Sequence, residues 1–132
     1  LQLPWAVTDF IRDSFSGGPI RIMGDGTTMR SLMYAGDYAF WVLTALANGR
    51  PRETYNIGSP EPVDLSSLAK MITQSFTPIP EIHTRVGQIG HERNRLVPDI
   101  SRTQGDLGVE VTVSLSDAIQ RTISWHRFSR SS

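Results

Sequence analysis

An arginine on an extended segment just after a glycine turn is well placed to grip a phosphate, and Gly24-Asp25-Gly26-Thr27-Thr28 leading to Arg30 has that order. The glycines let backbone approach a ligand closely. The planar guanidinium offers paired, charge-assisted hydrogen bonds to phosphate oxygens, each about twice as strong as a neutral one. A second polar run, Gly90-His91-Glu92-Arg93-Asn94-Arg95, falls where a loop is expected, and loops carry binding groups because a rigid scaffold presents them. Arg30 with Arg93 or Arg95 would then converge on one diphosphate. In Tyr55-Asn56-Ile57-Gly58 an amide stands within an apolar run. A buried amide must find partners, by default neighbouring backbone and otherwise a ligand. Taken singly, each of these features is also what an ordinary solvated surface shows.

Other chemistries are poorly supplied. The 132 residues contain no cysteine and three scattered histidines, which removes disulfides and thiolate metal sites and argues against a metal centre. The serines, histidines and aspartates have no spacing that suggests a hydrolytic triad. No Gly-x-Gly-x-x-Gly stands between a strand and a helix, so no dinucleotide pyrophosphate site is expected within this chain. A Tyr-x-x-x-Lys pair is absent too, because Tyr34, Tyr38 and Tyr55 are followed four positions on by Tyr38, Val42 and Ser59. Thirteen basic residues balance thirteen acidic ones, so no net field draws the chain to nucleic acid or to an anionic membrane. No run approaches the roughly 20 apolar residues that span a bilayer. The expectation is a soluble, cytoplasmic protein. The opening Leu1-Gln2-Leu3-Pro4-Trp5 runs almost directly into a helical pattern, as if the chain were entered partway.

Local patterns supply the elements that must position these groups. A helix is expected from Thr8 to Phe15, stopped by Gly17-Gly18-Pro19. Ile20 to Met23 and Met29 to Tyr34 read as two strands joined by the glycine turn. Ala35 to Ala47 is helical up to Asn48-Gly49, and its Tyr38, Phe40, Trp41, Val42, Leu43 and Leu46 point around more than one stripe, so it wants cover on more than one side. Thr54 to Ile57 reads as a short buried strand and Ser59-Pro60-Glu61-Pro62 as a turn. Asp64 or Ser66 then caps a helix reaching Phe76. A strand over Glu81 to Val86, a loop over Gly87 to Asn94, a short helix from Asp99 or Ser101 to Gly108, and a helix from Ser114 closed by Trp125 complete the chain. The Ser/Arg-rich tail after His126 is expected to fray. The sum is one small α/β domain over residues 1–132, with about four main helices around short strands, some of which need partners outside it.

In order, Phe10-Ile11, Gly18-Pro19-Ile20, Gly24-Asp25-Gly26-Thr27, Arg30-Ser31, Tyr34, Asp37, Tyr55-Asn56-Ile57-Gly58, Pro98-Asp99, Leu107-Gly108 and the closing Leu115, Ala118-Ile119, Thr122 and Trp125 form a combined pattern. It resembles the C-terminal half of extended short-chain dehydrogenase/reductases, the NAD-dependent nucleotide-sugar epimerases and dehydratases. Within that family it is most similar to dTDP-glucose 4,6-dehydratases and UDP-glucuronate decarboxylases. The resemblance implies that an N-terminal Rossmann domain, absent from this chain, carries NAD and a catalytic tyrosine and lysine. The present residues would close over the substrate's nucleotide diphosphate. Arg30 then resembles the diphosphate-binding arginine, Asn56 the asparagine near the nucleotide, and Arg93 or Arg95 a second phosphate arginine. Arg93-Asn94-Arg95-Leu96-Val97-Pro98-Asp99 departs from the Arg-Arg-Tyr or Arg-Tyr the family often has there, which leaves open which arginine faces phosphate. The implied role is a catalytically silent substrate-binding part of a longer enzyme, with surface-polysaccharide synthesis as the setting. The alternatives are a stand-alone nucleotide-sugar-binding or protein-interaction module, and a homo-oligomer formed through the surface that the absent Rossmann domain leaves open.

Overall fold

In a computed structural model, which describes residues 6–85 and 95–130, the first helix, α1 (Ala6–Phe15), ends in a glycine stop. Gly17 adopts φ 68°, and the amides of Gly17 and Gly18 donate to Ser14 O and Asp13 O. This paired arrangement satisfies carbonyls that a helix end otherwise leaves open, and glycine takes the left-handed conformation without strain. Phe10, Ile11 and Ser14 form its buried face.

The glycine turn does not make a hairpin. Strand β1 (Ile20–Ile22) pairs in parallel with β4 (Ile82–Thr84) in a two-stranded sheet. Strand β2 (Met29–Ser31) lies in a second sheet, ordered β3-β2-β5, with β3 (Pro62–Asp64) antiparallel and β5 (Arg95–Leu96) parallel to it. Pro62, expected in a turn, therefore begins a strand at the edge of the sheet, where a residue without an amide proton is tolerated. Residues 54–57, expected as a buried strand, have no strand partner among the described residues, and Thr54 and Asn56 are exposed.

Among the described residues there are five helices, where about four main ones were expected. Beyond α1 these are α2 (Ala35–Asn48), α3 (Leu65–Thr73), α4 (Ser101–Leu107) and α5 (Leu115–Arg130). Asp64 caps α3, accepting from the Ser67 amide at 2.8 Å and the Ser67 hydroxyl at 2.7 Å. That helix stops at Thr73, short of Phe76, with Ser75 and Phe76 turning back onto Ile72 O and Thr73 O. α5 runs on past Trp125 to Arg130, since no glycine or proline follows to stop it.

Two cores hold these layers. Phe10, Ile11, Ile20, Ile22, Leu68, Ala69, Ile72, Ile119 and Ile123 bring α1, β1, α3 and α5 together. Trp41, Ile100 and Val109 bring α2 to α4 and the segment after it. Leu32 and Val63 pack on the first core and Met33 on the second, so the β3-β2-β5 region runs between them.

Candidate functional site

Arg30 is the middle residue of β2, half-buried, with Val63 of β3 on one side and Leu96 of β5 on the other. Its Nη1 donates to the carbonyl of Met29 at 2.8 Å. Pairing on both sides fixes the backbone from which this side chain projects. Arg95, exposed, lies on the neighbouring strand opposite Met29. Neighbouring strands are about 4.8 Å apart, so the two arginine backbones are close. Side chains alternate between faces, however, and the register puts Arg30 in a row with Val63 and Leu96, and Arg95 in a row with Met29 and Asp64. The two arginines thus start from opposite faces of the sheet. Arg93 and the rest of the 86–94 segment lie outside the described residues.

The glycine turn has a structural occupation. Asp25 Oδ1 accepts from the Thr27 amide at 2.9 Å and the Thr27 hydroxyl at 2.8 Å, closing a local loop. Gly26 is buried with φ 81°, its carbonyl accepts from the Ser66 amide at 3.1 Å, and a Cβ there would lie 2.0 Å from Ser66 Oγ. The start of α3 presses on the place where a side chain would be. The turn leads into a strand and not a helix, so it lacks the strand–turn–helix geometry that holds a dinucleotide pyrophosphate.

Asn56 is exposed and held by backbone: its Nδ2 donates to Asp99 O at 2.9 Å, and its own carbonyl accepts from the Thr103 hydroxyl at 2.7 Å. Its carboxamide therefore ties the segment before β3 to the start of α4. The segment that follows Asn56 is tied to the residue after Arg30, since Ser31 Oγ donates to Ser59 O at 2.8 Å and accepts from the Ser59 amide at 2.9 Å.

Asp37 was not singled out for a role by sequence reasoning, although an acidic residue in the first turn of an otherwise apolar helix is a signal. It is buried, and its carboxylate accepts from the amides of Thr112 and Val113, both at 3.0 Å, and from the Thr112 hydroxyl at 2.5 Å. Burial pushes its pKa up. The Thr112 hydroxyl, the two amides and the charge of Arg121 outweigh this and hold the carboxyl below its ordinary value. Arg121 also stands over the ring of Tyr34, 5.4 Å from its centroid, just ahead of α2.

A groove of about 560 Å³ lies elsewhere, lined by Phe15, Phe76, Pro78, Pro80, Glu81 and Arg127 among others. It includes none of Arg30, Asn56 or Arg95. Arg127 is engaged there, donating to Ser75 O at 2.6 Å and standing over the Phe76 ring.

A small mixed α/β layer with its arginine strand at the middle of a three-stranded sheet is the fold of part of an extended short-chain dehydrogenase/reductase. Residues 5–58 match the model of the NAD dependent epimerase/dehydratase family. The UDP-glucose 4-epimerase with UDP-glucose from Thermotoga maritima superposes with a TM-score of 0.80 at 25% identity, over 95% of this chain and 40% of that one. The UDP-glucuronic acid 4-epimerase of Bacillus cereus, in complex with UDP-glucuronic acid and NAD, gives a TM-score of 0.82 at 23% identity, over 96% and 40%. Among curated relatives the chain is 29% identical over 123 residues to a dTDP-glucose 4,6-dehydratase of Actinoplanes sp., covering 92% of this chain and 38% of the relative. It is 25% identical over 118 residues to UDP-glucuronic acid decarboxylase 1 of Arabidopsis thaliana, covering 89% and 27%. The chain is thus related to the NAD-dependent epimerases and dehydratases, and spans no more than about two-fifths of the length of these relatives. Among the described residues, no helix is long and apolar enough to cross a membrane.

Proposed function

We propose that this chain is the nucleotide-sugar-binding part of an NAD-dependent epimerase/dehydratase of the dTDP-glucose 4,6-dehydratase kind, and that Arg30 grips the substrate's diphosphate. What supports the reading most directly is Arg30 itself. It is a half-buried arginine on a strand paired on both sides, in a chain related to enzymes that act on nucleotide sugars. A guanidinium so held loses less freedom on binding than one on a mobile loop. In this reading the second phosphate contact is Arg93 or, turned around the end of β5 from the opposite face of the sheet, Arg95, and Asn56 stands near the nucleotide. NAD, the hydride chemistry and a catalytic tyrosine and lysine belong, in this reading, to an N-terminal Rossmann domain of a longer parent. The 132 residues alone are then catalytically silent. The setting is cytoplasmic nucleotide-sugar metabolism feeding polysaccharide synthesis.

The test is calorimetric titration of the 132-residue chain with UDP-glucose and with dTDP-glucose at low ionic strength, where charge-assisted contacts are least screened. Heat with either sugar nucleotide that disappears in Arg30→Ala is the expected result. Absence of heat in the wild type, or equal heat in the variant, would refute the assignment.

A further inference from the structure

Asn48, the last residue of α2, and Gly49 form the one Asn-Gly pair in the sequence. In such a pair the glycine nitrogen can reach the asparagine Cγ without hindrance from a side chain and close a five-membered imide, a route by which asparagine is lost from proteins. The fold holds this pair in a form that does not react. The Gly49 amide donates to Ala45 O at 2.9 Å, so its proton is committed to the last turn of the helix and its nitrogen is turned away from the exposed Asn48 side chain. The next amide, that of Arg50, donates to the Tyr55 hydroxyl at 3.0 Å. That hydroxyl donates to Asp106 Oδ2 at 3.3 Å, and Arg50 Nη2 stands 2.9 Å from Asp106 Oδ1. The two amides after Asn48 are thus tied down in turn, one to α2 and the other through Tyr55 to α4.

Gly49 has φ −63° and ψ 142°, a conformation open to any residue. Space requires the glycine instead, because a side chain there would run into Ala45 O and would lie 3.1 Å from Tyr55 Cε2. Tyr55, packed against the end of α2, therefore selects the residue that makes Asn48 reactive and also holds the reaction off. We propose that Asn48 is a deamidation site latched by Tyr55. When the last turn of α2 opens, the Gly49 nitrogen gives up its proton to solvent and bonds to Asn48 Cγ. The Cγ–Nδ2 bond then breaks and the nitrogen leaves as ammonia, taking a proton from water. Water opens the imide at one carbonyl or the other, giving aspartate or isoaspartate with no change of oxidation state. Either product puts a carboxylate at the C-terminal end of α2, where the helix dipole disfavours negative charge. Isoaspartate also adds an atom to the main chain, so the turn that opened does not re-form as before. Asn56 is the internal contrast, since β-branched Ile57 crowds the attacking nitrogen and Asn56 Nδ2 is held by Asp99 O. This inference does not rest on the diphosphate reading.

Peptide mapping by mass spectrometry, on the 132-residue chain incubated at mildly alkaline pH in native buffer and in urea, reads the conversion of Asn48 directly. In urea Asn48 should convert faster than Asn56, and in native buffer it should convert more than about tenfold slower than in urea. Tyr55→Phe keeps the ring and removes the hydroxyl that the Arg50 amide and Asp106 use. It should speed conversion in native buffer about three- to tenfold, the effect of a lost hydrogen bond on an opening equilibrium, and leave the rate in urea unchanged. Asp106→Ala should act in the same direction. No conversion of Asn48 in urea, equal wild-type rates in urea and native buffer, or folded variants both as slow as the wild type would overturn the proposal. Where circular dichroism shows a variant unfolded, hydrogen exchange of the wild type decides. The Gly49 and Arg50 amides should be protected together, and exchange as fast as in the unfolded chain would overturn the latch.

Discussion

Arg30 and Arg95 occupy adjacent parallel strands one residue out of step, Arg30 opposite Leu96 and Arg95 opposite Met29. Two arginines that sequence alone would send to one diphosphate therefore share a backbone neighbourhood but leave the sheet on opposite faces. On the face of Arg30 lie Val63, packed against the first core, and Leu96, which is exposed.

That geometry separates the two side chains experimentally. Arg30→Ala should weaken nucleotide-sugar binding by about tenfold or more, the effect of losing a charge-assisted hydrogen bond. Arg95→Ala should cost clearly less. Titration of both variants with the same sugar nucleotide checks this, and equal losses would mean that the end of β5 turns Arg95 onto Arg30's ligand.

Asp37 should govern the attachment of α2 to the 112–113 segment. Asp37→Ala removes the acceptor of both amides and of the Thr112 hydroxyl and should cost about 1.5–3 kcal/mol of unfolding free energy by urea denaturation, whereas Asp37→Asn keeps both amides on its one oxygen, turns its Nδ2 to the Thr112 hydroxyl, and should cost less. Wild-type stability near neutral pH is the reference. A loss under half a kilocalorie in the alanine variant would show that Thr112 and Val113 re-pair elsewhere.

The same carboxylate gives a pH dependence with a definite sign. Asp37 and the α3 cap Asp64 both have folded pKa values held below the ordinary aspartate range. For Asp37 this happens despite burial, and for Asp64 the hydrogen bonds from Ser67 are the leading cause. A depressed folded pKa means that the unfolded chain takes up protons first on acidification. The stabilisation is complete above the unfolded value of about 3.9 and falls away as pH drops through the folded values. Unfolding curves between neutrality and strongly acidic pH should show this loss in the wild type and a shallower one in Asp37→Asn.

Helix ends were largely legible in the sequence because their signals are local. Gly17, Gly49 and Gly108 stand where α1, α2 and α4 stop, and Asp64 stands where α3 starts. Strand partners were not, because a three-residue strand such as β1 carries no mark of its partner and the choice of β4 is made by the packing of Ile20 and Ile22 in the core. Asn56 read as a buried strand residue because Tyr55 and Ile57 flank it. Its real partners, Asp99 and Thr103, are more than forty residues away. Arg30 was legible as a candidate by residue type and turn. Its separation from Arg95 needed the register.

Gly26 shows how a turn glycine can be fixed by a distant element, and this makes the sharpest stability test. Gly26→Ala places a methyl 2.0 Å from Ser66 Oγ at a φ of 81° that alanine adopts poorly. Two separable costs follow, a clash and a backbone strain, together about 2–4 kcal/mol. Ser66→Ala removes the clashing hydroxyl, while Asp64 still caps α3 through Ser67. Gly26→Ala/Ser66→Ala should therefore be more stable than the sum of the single changes requires, by about 1 kcal/mol of coupling, with the strain remaining. Thermal and urea unfolding of the four proteins in the cycle measure that term. Strict additivity would mean that the Ser66 hydroxyl rotates aside or the turn moves away from α3 to admit the methyl, so that the Ser66 hydroxyl does not set the glycine requirement.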